Sequence, residues 1–215
     1  MGITGRSKMN LMEMTMSDYQ SALSSKEPTP GGGTASAVAL GHSAALISMV
    51  ASLTVGNDKW QDGWGVSESA IEFSSKAMDL SATLAEKDSL AFDKVMEAFR
   101  LPKSTEEEKN IRLENIRQAT LHAAEIPFDT ACLALDLLVI INDLSQVCNG
   151  NAVSDIGVAA LLASAGCKGA LFNVEINLNS LPSEVGQSMR TRLPKINHQC
   201  REISKEIMHN VKSRL

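Results

Sequence analysis

The sequence predicts an all-α fold, a single-domain bundle of long helices, on three observations. Apolar residues recur at helical spacing along nearly the whole chain, with no sustained alternation between hairpin turn signals. Aromatic residues make up only 4% of the 215, so Ala, Ser, Leu and Met must fill the core, which suits helices that approach closely. Prolines, glycines and capping hydroxyls then divide the chain into long segments with short connections, the pattern of a bundle. At 44% hydrophobic and 21% charged, the composition is that of an ordinary globular protein. One domain over residues 11–215, behind a flexible tail at 1–10, accounts for the length.

Taken in order, Thr15 or Ser17 caps a short helix carrying Tyr19, Ala22 and Leu23. Pro28 and Pro30 punctuate the chain, and Gly31, Gly32 and Gly33 lead into a helix from about Thr34 to Thr54. The stretch GNDKWQDGWG, 56–65, is turn-rich and holds both tryptophans. A long helix over about Val66 to Phe99 ends before Pro102. Ser104 or Thr105 followed by EEEK makes a strong N-terminus, with a capping hydroxyl and acids that the helix dipole favours. That helix is expected to end near Glu125, with Pro127 starting or kinking the next. NGNAVSD, 149–155, breaks the pattern, and Ser154 is placed to cap a helix through Ala170 towards Asn177. Pro182 and Pro194 bracket a polar segment before a last helix over about Lys195 to Lys212.

Several function classes fall away. A net charge of −5 gives no electrostatic footprint for nucleic acid. The cations gather at the C-terminus, where Arg190, Arg192, Lys195, Arg201, Lys205, Lys212 and Arg214 face only Glu202 and Glu206. Cys132, Cys148, Cys167 and Cys200 form no CxxC pair, so no metal site is expected and they read as buried, reduced thiols of a cytoplasmic protein. PTPGGGTASAVALGHSAALISMVASLTVG, 28–56, has no lysine after its glycines and is not a P-loop. Its apolar run is long enough to span a membrane, but it carries four serines and His42 in an acidic chain, so a core helix and no membrane partner are expected. Gly33, Ala37, Gly41 and Ala45 form one row of small residues and Ala44, Ser48 and Ser52 a second, which lets other helices come close. A glycine turn opening a helix also presents free N–H groups that can hold a carboxylate or phosphate.

Two polar concentrations sit among apolar residues. Ala77, Ser81, Leu84, Asp88, Ala91, Val95 and Ala98 share one stripe of the long helix, so Asp88 faces the core and needs either a polar partner on another helix or a chemical task. Asn149, Asn151, Ser154 and Asp155 crowd together between apolar helices, with Asp155 on a stripe with Ala152, Ala159 and Leu162. Capping and turn geometry explain part of that set. The four histidines form no triad, and His42 reads as a hydrogen-bonded core residue.

These segments together resemble the methenyltetrahydrofolate cyclohydrolases and the formimidoyltetrahydrofolate cyclodeaminase family to which they belong. The resemblance runs through PTPGGGTASAVALGHSAALISMVASLTVGNDKW, EKDSLAFDKVMEAFRLPKSTEEEKNIR, Pro127 and NGNAVSDIGVAALLASAGCKGALFNVEINL, covering about Met16 to Lys212. It implies an all-α homodimer with its site in a cleft near the subunit contact. The implied substrate is a one-carbon unit bridging N5 and N10 of tetrahydrofolate, with no metal and no cofactor besides the folate. Asp88 and Asp155 are the implied catalytic residues, and Gly31, Gly32, Gly33, Lys59, Asn149, Asn151 and Ser154 the implied substrate-binding ones. Where the family commonly carries several lysines, this chain has Asn57, Asp58, Lys59 and Trp60, so only Lys59 remains to meet a polyglutamate tail, with the basic C-terminal segment as a possible substitute. Hydrolysis of 5,10-methenyltetrahydrofolate is the leading expectation. Cyclodeamination of formimidoyltetrahydrofolate is second, and a non-catalytic folate-binding dimer is the reading from another class.

Overall fold

A computed structural model describes residues 11–215; the tail expected over 1–10 lies outside the described residues. A 3₁₀ turn at Leu11–Glu13 precedes α1 (Met16–Leu23), α2 (Gly32–Thr54), a 3₁₀ turn at Asp58–Gly63, α3 (Trp64–Phe99), α4 (Glu106–Val147), a 3₁₀ turn at Gly150–Ala152, α5 (Val153–Asn179) and α6 (Gln187–Arg214). No strand occurs among the described residues, in line with the predicted all-α class.

The small-residue rows put α2 between α3 and α5. Gly33 lies against Asp88 and Gly41 against Ser81, which sets α2 and α3 antiparallel. On the other side Ser36 meets Gly169, and the Ser43 hydroxyl donates to Ala159 O across 2.8 Å, so α5 is also antiparallel to α2. Helix α4 covers α3 and α5, and α6 closes the outside of α4 and α5. Ala37, Ala44, Ala51, Ala134, Ala159 and Ala163 are fully buried, and Phe128 is the only aromatic in the core among the described residues. Alanine in place of aromatics is what allows the close approach. Helices α2 and 150–179 are long and apolar enough to cross a membrane, but about half of each apolar stretch is buried inside the bundle.

Thr105 caps α4 in a full capping box with Glu108, as the sequence predicts. Pro127 neither starts nor ends a helix, however: α4 runs unbroken from Glu106 to Val147. Proline lacks the N–H that would bond to Ala123 O one turn back, and the Asn177 side chain of α5 donates to that oxygen across 2.9 Å instead. Likewise Pro194 lies inside α6, which begins at Gln187 rather than Lys195. Pro194 is exposed, and the carbonyl it releases one turn back is that of half-buried Arg190. Ser154 does not cap α5; the capping position is Ala152, and Ser154 stands exposed in the first turn. His42 is exposed rather than in the core, on a side of α2 that no helix covers, with Nδ1 2.9 Å from Val38 O.

Candidate active site

The glycine turn leaves α2 without a cap of its own, since Gly31 has no side chain to accept from the first N–H groups. Asp88 of α3 fills that role. Its Oδ2 accepts from the Thr34 hydroxyl at 2.9 Å, and the Ser89 hydroxyl lies 3.2 Å from the same Thr34 oxygen. A Cβ on residue 33 would overlap the Asp88 carboxylate, so glycine at 33 is what admits a charged group to this place. Burial pushes the Asp88 carboxyl above its ordinary range; the Thr34 hydroxyl and backbone N–H pull it part of the way back. Asp88 is therefore both a helix-to-helix polar pair and a half-buried acid with a perturbed proton affinity.

The second polar concentration sits at the other end of α2. Asn149 caps the 3₁₀ turn at Gly150–Ala152 by accepting from Asn151 N at 2.9 Å. Its backbone N–H donates to Thr54 Oγ1 at 2.9 Å and its amide to Leu53 O at 3.0 Å, which ties the turn to the end of α2. Asn151 and Ser154 are exposed, Asp155 is half-buried, and exposed Lys59 sits 5.1 Å from the centroid of the Trp60 ring. The Trp60 ring in turn packs on Gly150, where a Cβ would stand 2.8 Å from it.

The residues singled out in the sequence thus form two groups. Gly31, Gly32, Gly33 and Asp88 gather at the start of α2, and Lys59, Asn149, Asn151, Ser154 and Asp155 at its end. Thr34 and Thr54 anchor the two groups and are twenty residues apart, or about 30 Å at 1.5 Å per residue. Between them α2 and α5 expose an apolar strip that includes Met49, Leu53, Val158, Leu161, Phe172 and Ile176, the last two each 70% exposed.

Thr34, Ser89 and Thr54 were missed by sequence reasoning. Thr34 follows the glycines directly, at the position whose backbone N–H a cap would take, and that was its signal. Among the described residues no three His, Cys, Asp or Glu side chains converge in a way that could hold a metal ion. A cavity of about 360 Å³ between α5 and α6, lined in part by Glu175, Asn179 and Arg190, includes none of the predicted site residues.

A profile of the family described as Formiminotransferase-cyclodeaminase matches residues 15–194. Methenyltetrahydrofolate cyclohydrolase of Methylorubrum extorquens is 32% identical over 94% of this chain and 97% of its own length. Formimidoyltransferase-cyclodeaminase of Gallus gallus is 31% identical over 84% of this chain, which spans 33% of that protein. The crystal structure of formiminotetrahydrofolate cyclodeaminase from Thermotoga maritima has a TM-score of 0.79 and 27% identity, covering 95% of this chain and 97% of its own. A helical bundle with these two polar clusters, matched end to end in sequence and in shape, belongs to the formiminotransferase-cyclodeaminase family.

Proposed function

We propose that this chain hydrolyses 5,10-methenyltetrahydrofolate to 10-formyltetrahydrofolate, with no cofactor beyond the folate itself. Asp88 carries the reading: a half-buried carboxylate with raised proton affinity, held at a helix N-terminus beside a glycine turn whose Gly33 admits it. The substrate is an amidinium cation, and a carboxylate in a poorly hydrated place attracts it. Water adds to the methenyl carbon and loses its first proton; as the N5–carbon bond breaks, the resulting hydroxyl loses the second to become the formyl oxygen, and N5 must gain one. Asp88 can take the first proton and return it, and the reaction releases one proton overall. Asp155, Asn149, Asn151 and Ser154 orient water and folate, Lys59 meets an anionic part of the substrate, and Gly31 to Gly33 allow close approach.

The working unit in this reading is a homodimer. The exposed α2 and α5 strip suits a second copy of itself, and an antiparallel pairing sets the start of one α2 beside the end of the other. That arrangement supplies Asp88 from one subunit and the 149–155 segment from its partner, which overcomes the separation of about 30 Å within one chain. Four thiols with no disulfide among them suit the cytoplasm.

A second reading has its own support: the Thermotoga maritima structure with a TM-score of 0.79 is a cyclodeaminase. There N10 would attack the formimidoyl carbon and ammonia would leave, and the same acid could protonate it. The two are separated by following loss of the methenyl cation's absorbance on one substrate and ammonia release on the other. Hydrolysis without ammonia release supports the cyclohydrolase, and the reverse supports the cyclodeaminase. Activity on neither contradicts both and favours a non-catalytic folate-binding dimer.

A further inference from the structure

We infer that Arg214, the penultimate residue, is a positioning residue for the 149–155 segment; the inference rests on the role proposed for that segment above. Arg214 Nη1 donates to Ser145 O at 2.6 Å, and Nη2 donates to Cys148 O. Both carbonyls lie at the C-terminal end of α4, where a helix has no internal partners for them and a cation is favoured. The guanidinium also lies 5.6 Å from the centroid of the Trp60 ring, the ring that packs on Gly150. One turn earlier on α6, Asn210 donates to Asn142 Oδ1 at 3.2 Å and Ser145 Oγ at 3.0 Å.

The turn that begins at Asn149 is therefore held from two sides. Thr54 and Leu53 grip it from α2, and Arg214 with Trp60 braces it from the end of α6. Arg214 lies beyond residue 194, where the family match ends. Arg214 brings the end of α6 beside Trp60, the neighbour of Lys59. Both terminal nitrogens of Arg214 bond carbonyls and its plane lies by an indole, so it fixes the backbone that carries Asn149 and Asn151 and leaves the anionic part of the substrate to exposed Lys59.

The test uses the full-length chain carrying Trp64→Phe, which leaves Trp60 as its single tryptophan. Arg214→Ala, Arg214→Lys and, as a control for charge, Lys212→Ala are compared in that parent. The expected result is a changed Trp60 emission and a kcat for methenyltetrahydrofolate hydrolysis about ten- to a hundredfold lower in Arg214→Ala, the scale of a small misplacement of reacting groups. KM is expected to stay within about threefold, because the loss is of orientation and not of binding. Arg214→Lys recovers part of kcat, since an ammonium can reach one carbonyl but cannot fork to two; it also carries the comparison if the alanine variant does not fold. Lys212→Ala leaves emission and kcat as in the parent. Unchanged emission and kcat in Arg214→Ala, an equal loss in Lys212→Ala, or a loss confined to KM each overturns the assignment. Failure of the parent to hydrolyse the substrate overturns the cyclohydrolase reading instead, and Trp60 emission with ammonia release then decides whether Arg214 positions the segment.

Discussion

The Thr34 hydroxyl donates to Asp88 Oδ2 across 2.9 Å, joining the first turn of α2 to the middle of α3 through one bond to a half-buried acid. The glycine turn and the polar residue on an apolar stripe, separate puzzles in the sequence, are two halves of one contact. Gly31 cannot cap α2 and Gly33 leaves the space in which Asp88 does so.

Thr34→Val removes the hydroxyl donor and keeps the backbone one. Burial already holds the Asp88 carboxyl above the 3.8 of an unperturbed aspartate, and the hydroxyl opposes that rise by favouring the ionised form. Without it the proton affinity rises further. If Asp88 acts as the base, the acid limb of kcat/KM moves to higher pH in Thr34→Val; a limb that stays in place argues that Asp88 is not the group titrating.

Stability follows the same sign. A carboxyl with raised affinity in the folded state binds more protons there than in the unfolded chain. Its contribution is present below 3.8 and is lost as pH rises through the folded value. Asp88→Asn should therefore be at least as stable as the parent above that window in thermal melts, and a marked drop at neutral pH would show that the ionised carboxylate holds the fold together.

Gly33→Ala and Gly32→Ala make a controlled pair. A methyl at 33 collides with the Asp88 carboxylate, while one at 32 meets nothing closer than Asn173 Nδ2 at 3.9 Å. The first is expected to cost about 1–3 kcal/mol and to depress kcat by displacing the acid, and the second to leave stability nearly as it was. Equal effects in the two would count against close packing at 33.

Asn177 tests the long helix. Asn177→Leu leaves the part-buried Ala123 O opposite a proline with no N–H to give, and about 1 kcal/mol of stability is expected to go with it. Pro127→Ala in the same chain restores the missing N–H. Recovery of part of that loss in denaturant melts is the expected outcome, and a purely additive double variant would show that the two residues do not share this carbonyl.

The bundle was legible because periodicity, caps and breakers act locally: the Thr105 capping box and the ends of α2 and α3 follow from neighbouring residues. Pro127 misled because the compensating donor is Asn177, fifty residues away on another helix. Ser154 misled because Asn149 had already capped the preceding turn. The two polar groups were legible as groups, since charge on an apolar stripe is visible in sequence. Their separation along α2 was not, because it depends on which end of an antiparallel pair each one meets. Arg214 left no signal, being one cation among seven in a basic segment.

The measurement that most directly tests the proposed function is the initial rate of methenyl cation loss, read from its absorbance with excess substrate, for the parent and Asp88→Asn side by side. Asparagine keeps the size and can still accept the Thr34 hydrogen bond, so the fold should persist while the acid/base function goes. The expected result is hydrolysis well above the spontaneous rate for the parent and at least about a hundredfold less for Asp88→Asn, with matching circular dichroism. A folded Asp88→Asn protein that turns over near the parent rate would contradict it.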